Sequence, residues 1–151
     1  MKKILLAVIC LFLLGPFVQA QDVTPEMKAD FLSKVKAAAA QKNFKAFSVL
    51  YSQDGTVDPA MKDQLSKFSQ DIFNILSAIP SPDYKFAGPT PGQPASFTHN
   101  GKTYEPNLKI VATLQFHDPN GAPNTAASGT WGFPLGIENG ALMITQTVLK
   151  P

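Results

Sequence analysis

The spacing of apolar residues changes abruptly near Pro80 and Pro82. Before these two prolines, apolar residues recur at the spacing of amphipathic helices, whereas from Asp83 onward they alternate with polar residues, as in half-buried strands. Proline ends a helix because it lacks the backbone N–H and its ring clashes with the preceding turn. The chain therefore places its helices first and its strands second, and this order predicts an α+β domain in which a sheet covers the helices.

Two predicted helices begin with the same signal, a capping side chain followed by proline. Thr24-Pro25 and Asp58-Pro59 each put an oxygen acceptor at the N-cap and a proline at the first helical position, where its missing N–H costs nothing. A shorter helical segment is expected at residues 44–51. The apolar stripes of the first and last helices consist of Met27, Phe31, Val35 and Ala39, and of Met61, Leu65, Phe68, Ile72, Ile75, Leu76 and Ile79.

Two Asn-Gly pairs predict β-hairpins, because both central residues of the tight two-residue turn need a positive φ. Asn100-Gly101 joins residues 97–99 to residues 102–104, and Asn139-Gly140 joins two apolar runs near the end of the chain. Pro134 cannot donate to a strand ladder, so it indicates an edge or a bulge. The apolar face of the second hairpin is expected to carry Trp131, Phe133, Leu135, Leu142, Ile144 and Val148.

One long strand is predicted at residues 108–117, because Leu108, Ile110, Ala112, Leu114 and Phe116 alternate with mainly polar residues. Its apolar face is expected to pack against the helices. The polar face of the sheet would then carry Thr113, Gln115, Thr145 and Thr147. Two interpretations remain open for this face: it pairs with the same face of a second copy in a homodimer, or it is an ordinary solvent-exposed surface, for which threonine is well suited.

The first twenty residues have the layout of a secretory signal peptide. Lys2 and Lys3 precede an apolar run at residues 4–14, and Val18-Gln19-Ala20 forms a small-x-small cleavage pattern. A membrane anchor is the alternative, but the run breaks at Gly15-Pro16 and is shorter than the roughly 20 apolar residues that a spanning helix needs. We therefore expect cleavage before Gln21, export to the periplasm or the medium, no membrane attachment afterwards, and a single domain at residues 21–151.

The charge of the mature chain excludes several classes of partner and site. Without residues 1–20 the chain keeps 131 residues, 11 lysines against 11 acidic residues, no arginine and no cysteine. Arginine provides the planar fork that phosphates and base edges favour, so its absence argues against nucleic acid as a partner. The sequence also lacks an HExxH or GxSxG motif, a glycine-rich phosphate loop and clustered His/Cys ligands. We expect no metal and no cofactor.

The order of the elements, together with the closing segment FPLGIENGALMI at residues 133–144, resembles the nuclear transport factor 2-like superfamily. The resemblance covers about residues 24–149 and rests on layout. It implies a curved sheet that closes as a cone around a long helix. The superfamily contains ketosteroid isomerases, polyketide cyclases, dehydratases and many non-catalytic domains. Its enzymes place an acid, a histidine or a tyrosine inside the cone.

Three residues are candidates for catalysis in such a cone. His117, beside Gln115 at the end of the long strand, could act as a base, although an exposed histidine at a strand end without a placed partner is the simpler interpretation. Tyr51 and Tyr104 could each direct a hydroxyl into a cavity. The alternative is that their rings pack at the edge of the core while the hydroxyls meet water.

The leading hypothesis is an exported, non-enzymatic domain that binds a small apolar ligand or a protein partner, with a homodimer as one possible assembly. The alternative is a cofactor-free isomerase, cyclase or dehydratase. An open space between the long helix and the sheet would favour ligand binding or catalysis, and a filled one would place function on the outer surface. The expected lining of a ligand pocket is Trp131, Phe133, Phe116, Phe68 and Ile72.

Overall fold

A computed structural model describes residues 22–55, 57–89, 96–121 and 129–150. The predicted signal peptide lies outside the described residues. Three helices come first in this part of the chain: α1 (Pro25–Ala40), α2 (Phe44–Ser48) and α3 (Pro59–Ala78). They are followed by the strands β1 (Asp83–Ala87), β2 (Phe97–His99), β3 (Lys102–Pro106), β4 (Ala112–His117), β5 (Trp131–Glu138), β6 (Ala141–Ile144) and β7 (Thr147–Leu149).

The strands form two antiparallel sheets, and helices pack on them, which confirms the predicted α+β class. One sheet has four strands in the order β1-β4-β5-β6, and the other has three in the order β2-β3-β7. Both Asn-Gly turns have the expected backbone, with φ of 49° and 73° at Asn100-Gly101 and of 51° and 78° at Asn139-Gly140. None of the helices in the described residues is long and apolar enough to cross a membrane.

The helices begin where the capping signals predicted. Thr24 accepts a hydrogen bond from the backbone N–H of Met27, and Asp58 accepts one from that of Ala60. The predicted helix at residues 44–51 was too long, because α2 ends at Ser48 and the chain then pairs with the end of β6. In that pairing, the N–H of Ile144 donates to the carbonyl of Leu50, and the N–H of Ser52 donates to the carbonyl of Ile144.

The core lies between the helices and the inner face of the four-stranded sheet. Its members from the helices are Phe31, Val35, Phe47, Ile72, Phe73 and Leu76, and those from the strands are Leu114, Phe116, Phe133, Leu135, Leu142 and Ile144. The carboxyl-terminal half of α3 supplies all of its buried side chains. In the amino-terminal half, Met61 and Leu65 are only half-buried and Phe68 is 59% exposed, so this part of the apolar stripe does not join the core.

The long strand predicted at residues 108–117 begins only at Ala112. Before it, Asn107 is held at the other sheet, since its N–H donates to the carbonyl of Gln146 and its side-chain oxygen accepts from the N–H of Gln146. Leu108 then crosses β5 at Gly136, where an added Cβ would collide with the Leu108 side chain. Side chains alternate along a strand, so Gly136 and Leu108 lie on the face opposite buried Leu135. Leu108 therefore does not share the apolar face of Leu114 and Phe116, contrary to prediction.

The returning strand of the second hairpin is also interrupted. Leu142 and Ile144 belong to β6, whereas Val148 belongs to β7 and lies in the other sheet, beside β3. The interruption coincides with Pro134, whose carbonyl accepts a hydrogen bond from the N–H of Thr145 at 2.9 Å. In a regular antiparallel pair, residue 134 would also donate its own N–H to the carbonyl of Thr145, but proline has no N–H. The side of β5 that faces β6 therefore becomes an edge at Pro134, in line with the edge or bulge that this residue indicated.

Candidate functional site

A cleft of about 860 Å³ opens to solvent between the amino-terminal half of α3, the chain around α2, and the ends of β5 and β6. It exists because α3 packs closely on the core only through its carboxyl-terminal half. The helix positions Leu65, Phe68, Ser69 and Ile72 along one wall. Gly132, Phe133 and Pro134 of β5, with residues 144–147, form the opposite side.

The floor of the cleft is mostly apolar and continuous with the core. Phe133 is fully buried at its base and packs against Phe47, with ring centroids 5.3 Å apart. Phe44 packs on Phe73 at 5.6 Å, and the ring of Tyr51 meets Phe47 edge-on at 5.9 Å. Such tilted and edge-on contacts suit the quadrupoles of aromatic rings, so the rings of the floor stabilise one another.

Tyr51 brings a polar group into this apolar cleft. Burial raises the pKa of the Tyr51 phenol above its usual value of 10.0, an effect that the side chain of Ser69 partly offsets. The Ser69 hydroxyl itself donates to the carbonyl of Leu65 at 2.8 Å, one turn back along α3. At neutral pH the Tyr51 hydroxyl is thus protonated, and it can donate a hydrogen bond but cannot take up a proton.

A polar network closes the end of the cleft where the two sheets meet. The side-chain amide of Asn107 donates to the Ser52 hydroxyl at 2.8 Å and to the carbonyl of Asp54 at 2.7 Å. The side-chain amide of Gln146 donates to the carbonyl of Ser52 at 2.6 Å. These bonds fix the segment between α2 and α3 against the strands, and so they hold one rim of the cleft in place.

A second polar cluster, outside the lining of the cleft, anchors the start of α3. Asp58 is buried; one of its carboxylate oxygens caps the helix, and the other accepts hydrogen bonds from Lys102 and from the Tyr104 hydroxyl, both at 2.8 Å. The hydrogen bond from Lys102 lowers the pKa of Asp58 from 3.8 to about 2, helped by the Ala60 N–H and by Tyr104. In turn, the hydrogen bond to Asp58 raises the pKa of Lys102 and that of Tyr104, whose burial adds to the effect. We call these three side chains the Asp58 clamp.

The catalytic candidates do not come together. Tyr51 lines the cleft, whereas Tyr104 belongs to the Asp58 clamp and does not reach it. His117 is exposed at the end of β4, with its Nε2 3.8 Å from a carboxylate oxygen of Asp83, and lies away from the cleft. The structure therefore leaves each of these three residues in a different environment.

The expected pocket residues divide in two. Phe133, Phe68 and Ile72 line the cleft, while Phe116 is fully buried in the core and Trp131 lies outside the lining. The four residues expected on one polar sheet face divide as well, because Thr145 and Thr147 line the cleft and Thr113 and Gln115 lie on β4.

Several residues of the site were not anticipated. Phe44 stands in the first turn of the short helix, and Ser52 and Asn107 stand in segments without a regular pattern. Gln146 lies between Ile144 and Val148 in the predicted returning strand, so its surroundings indicated a strand and not a site residue. Asp58 was recognised as a helix cap, but its second role depends on Lys102 and Tyr104, 44 and 46 residues further along the chain.

Comparisons of the chain with protein-family models, curated proteins and solved structures found no match. Among the described residues, no group of three or more His, Cys, Asp or Glu side chains is placed to hold a metal ion.

Proposed function

We propose that this chain is an exported binding protein that holds a small, largely apolar molecule in the cleft between α3 and the end of β5. The observation that carries the proposal is the cleft itself. Its volume of about 860 Å³ falls within the roughly 300–1,000 Å³ that is typical of small-molecule sites. Like those sites, it combines an apolar floor with a few polar groups at defined positions.

The amino-terminal half of α3 supports the same proposal. Leu65 and Phe68 continue the apolar stripe of the helix, yet Leu65 is half-buried and Phe68 is 59% exposed. A phenylalanine on the wall of an open cleft gains free energy when an apolar molecule covers it, because apolar surface leaves water. A bound ligand would thus complete a hydrophobic face that the rest of the chain leaves open.

A cofactor-free isomerase, cyclase or dehydratase receives less support. Such enzymes need a group that accepts a proton from the substrate. Of the three catalytic candidates, Tyr51 alone lines the cleft, and its raised pKa keeps it protonated. The carboxylate among the described lining residues is that of Asp54, which is exposed at the rim. Binding is therefore the function that the geometry favours.

The proposal includes the nuclear transport factor 2-like layout and the cleavage of residues 1–20. The succession of helices and antiparallel strands is compatible with a cone-like arrangement. A homodimer through the polar face of β4, which carries Thr113 and Gln115, belongs to the same proposal. Export would bring the cleft into contact with molecules outside the cytoplasm.

A neutral fluorescent probe tests the binding function. N-phenyl-1-naphthylamine becomes bright in apolar surroundings and carries no charge that could bind elsewhere. We expect it to bind the mature chain, and we expect Phe68→Ser to weaken binding about tenfold, since burying a phenylalanine side chain contributes about 1.5–3 kcal/mol. Val49→Ser is the matched control, because Val49 is 66% exposed but lies outside the cleft. Equal affinity in both variants would refute the proposed site.

A further inference from the structure

β6 ends at Ile144 and pairs with β5 from Leu135 to Glu138. Beside residues 132–133 of β5, the strand position on the β6 side is unoccupied within the described part of the chain, and we call this position the lane. The peptide groups of a strand point alternately to its two neighbours. The carbonyl of Leu135 accepts from Val111, on the β4 side, and the carbonyl of Pro134 accepts from Thr145, on the β6 side. Gly132 lies two residues before Pro134, so its N–H and carbonyl also point to the β6 side of β5. They face the lane, which β6 would occupy if it continued. The chain instead turns at Thr145 to form β7 beside β3.

The lane opens into the cleft. Gly132 lines the cleft, and β5 pairs with β6 from Leu135 to Glu138, so within the described part of the chain the peptide groups of Gly132 have no hydrogen-bond partner on that side. Thr130 lies two residues before Gly132, just ahead of β5. If the alternation continues to this residue, its N–H and carbonyl face the lane as well and lengthen the unpaired edge by one hydrogen-bonding residue. An unpaired strand edge is a template for another strand, which can bond to it through its own backbone.

The chemistry around the lane restricts the kind of occupant. Along an added strand, side chains would alternate, and every second one would point onto the aromatic floor at Phe133 and Tyr51. Among the described residues that line the cleft, the charged side chains are Asp54 and Lys62, which are opposite in sign. The cleft is therefore neutral overall, and it complements an uncharged molecule better than an anionic or a cationic one.

We propose that the ligand of the cleft is a peptide segment in extended conformation, which adds to the free edge of β5 at Gly132 and Thr130 and places an apolar side chain on the aromatic floor. The inference rests on the proposed binding function and gives the chemical class of the ligand. Backbone hydrogen bonds would supply general affinity for a strand, and the floor would select apolar side chains. Exposed sheet edges recognise peptides in this way, with affinity from backbone hydrogen bonds and specificity from the pockets that hold alternate side chains.

Blocked tetrapeptides test the inference. The panel carries acetyl and amide ends, with valine, leucine, isoleucine or phenylalanine at the two inner positions, and is titrated into ¹⁵N-labelled mature chain. We expect at least one peptide to displace N-phenyl-1-naphthylamine and to shift the amide signals of Gly132 and Thr130. Peptides with N-methylated inner amides keep the apolar area but lose the donors. They should bind about tenfold more weakly, equivalent to about 1.4 kcal/mol.

Two variants at one position provide a protein-side control. Thr130→Pro removes the N–H of the outer rung, whereas Thr130→Ala keeps it, and neither change touches the aromatic floor. Thr130→Pro should weaken peptide binding severalfold and leave the binding of N-phenyl-1-naphthylamine unchanged. Thr130→Ala should alter neither. Because Thr130 precedes β5, the proline does not interrupt the ladder with β4.

The outcomes separate the two proposals. If the probe binds but no peptide does, or if N-methylated peptides bind as tightly as unmodified ones, the peptide inference is overturned and the binding function stands. Unshifted Gly132 and Thr130 signals with a bound peptide also overturn it. If neither the probe nor any peptide binds, both proposals fall.

Discussion

Asp58 has two roles: it caps α3 and it holds the start of that helix to β3. Its two carboxylate oxygens serve different elements, one the first turn of α3 and the other the side chains of Lys102 and Tyr104 on β3. The start of the helix is thereby held against the three-stranded sheet, at the end of α3 that packs least on the core. The clamp thus helps to set the position of the cleft wall.

The pKa of Asp58 predicts how stability depends on acid. A carboxyl group whose pKa is about 2 in the folded chain and 3.8 otherwise stabilises the folded state fully above pH 3.8 and loses this contribution as the pH falls toward 2. We expect Asp58→Asn to lower the melting temperature at pH 6, with a difference from wild type that shrinks between pH 4 and pH 2. Thermal unfolding by circular dichroism measures it. Asp71→Asn, on the exposed side of α3, is the control, and a pH-independent difference would contradict the prediction.

Gly136 is the second residue at which a small change should have a large effect. An added Cβ would collide with Leu108 and lie 3.0 Å from the carbonyl oxygen of Lys109, so Gly136→Ala should destabilise the chain by about 1–3 kcal/mol. Urea unfolding measures the loss. Gly88→Ala, where nothing lies within 4 Å, should change stability little. The nearest obstacle is the Cβ of Leu108, which alanine would keep, so the rescue variant is Leu108→Gly. Gly136→Ala should cost less in a Leu108→Gly background than in the wild type, and an equal cost in both would show that Leu108 is not the obstacle.

The helix starts and turns that depend on adjacent residues were predicted correctly, whereas the strand boundaries that depend on distant residues were not. The starts of α1 and α3 and both Asn-Gly hairpins were predicted correctly, because a cap or a turn is determined by a few adjacent residues. The start of β4 was not, since it depends on Gly136 and Gln146, which lie far along the chain. Pro134 gave a correct local indication of an edge, but only the pairing of β7 with β3 explains where the chain goes next.

The candidate site follows the same division. Phe68, Ile72 and Phe133 were expected in a pocket because they lie on periodic apolar faces that converge between helix and sheet, and they line the cleft. Phe116 and Trp131 lie on equally apolar faces but outside the lining. Periodicity shows which face of an element is apolar. It does not show where two such faces separate, because that depends on how far the helix follows the sheet.

The two halves of α3 should differ in dynamics. All of its buried side chains lie at Ile72, Phe73 and Leu76, so the carboxyl-terminal half should open only with the core. Backbone amides of residues 62–70 have few buried contacts around them and should exchange with deuterium faster than those of residues 72–78. Hydrogen-exchange mass spectrometry resolves the two segments. Saturating N-phenyl-1-naphthylamine should slow the first segment and leave the second unchanged, and uniform protection along α3 would contradict this account.

The cleft follows from the positions of the two attachments that hold α3 to the rest of the molecule. The core joins α1, α2 and the carboxyl-terminal half of α3 to the four-stranded sheet, and the Asp58 clamp joins the start of α3 to the three-stranded sheet. Between these two attachments the helix spans a gap. This gap is the cleft in which we propose that the ligand binds.

Ligand binding should therefore stabilise the whole molecule, since a ligand that fills the cleft connects the two attachments of α3. A ligand that binds only the folded state adds about 2.7 kcal/mol at a free concentration 100 times its Kd. We expect N-phenyl-1-naphthylamine to raise the midpoint of urea unfolding in proportion to the logarithm of its concentration. Phe68→Ser should shift this dependence to about tenfold higher concentration, because less apolar surface is covered. Val49→Ser should behave as wild type. A midpoint that does not respond to the probe would show that the probe has no preference for the folded chain, and this result would contradict the prediction.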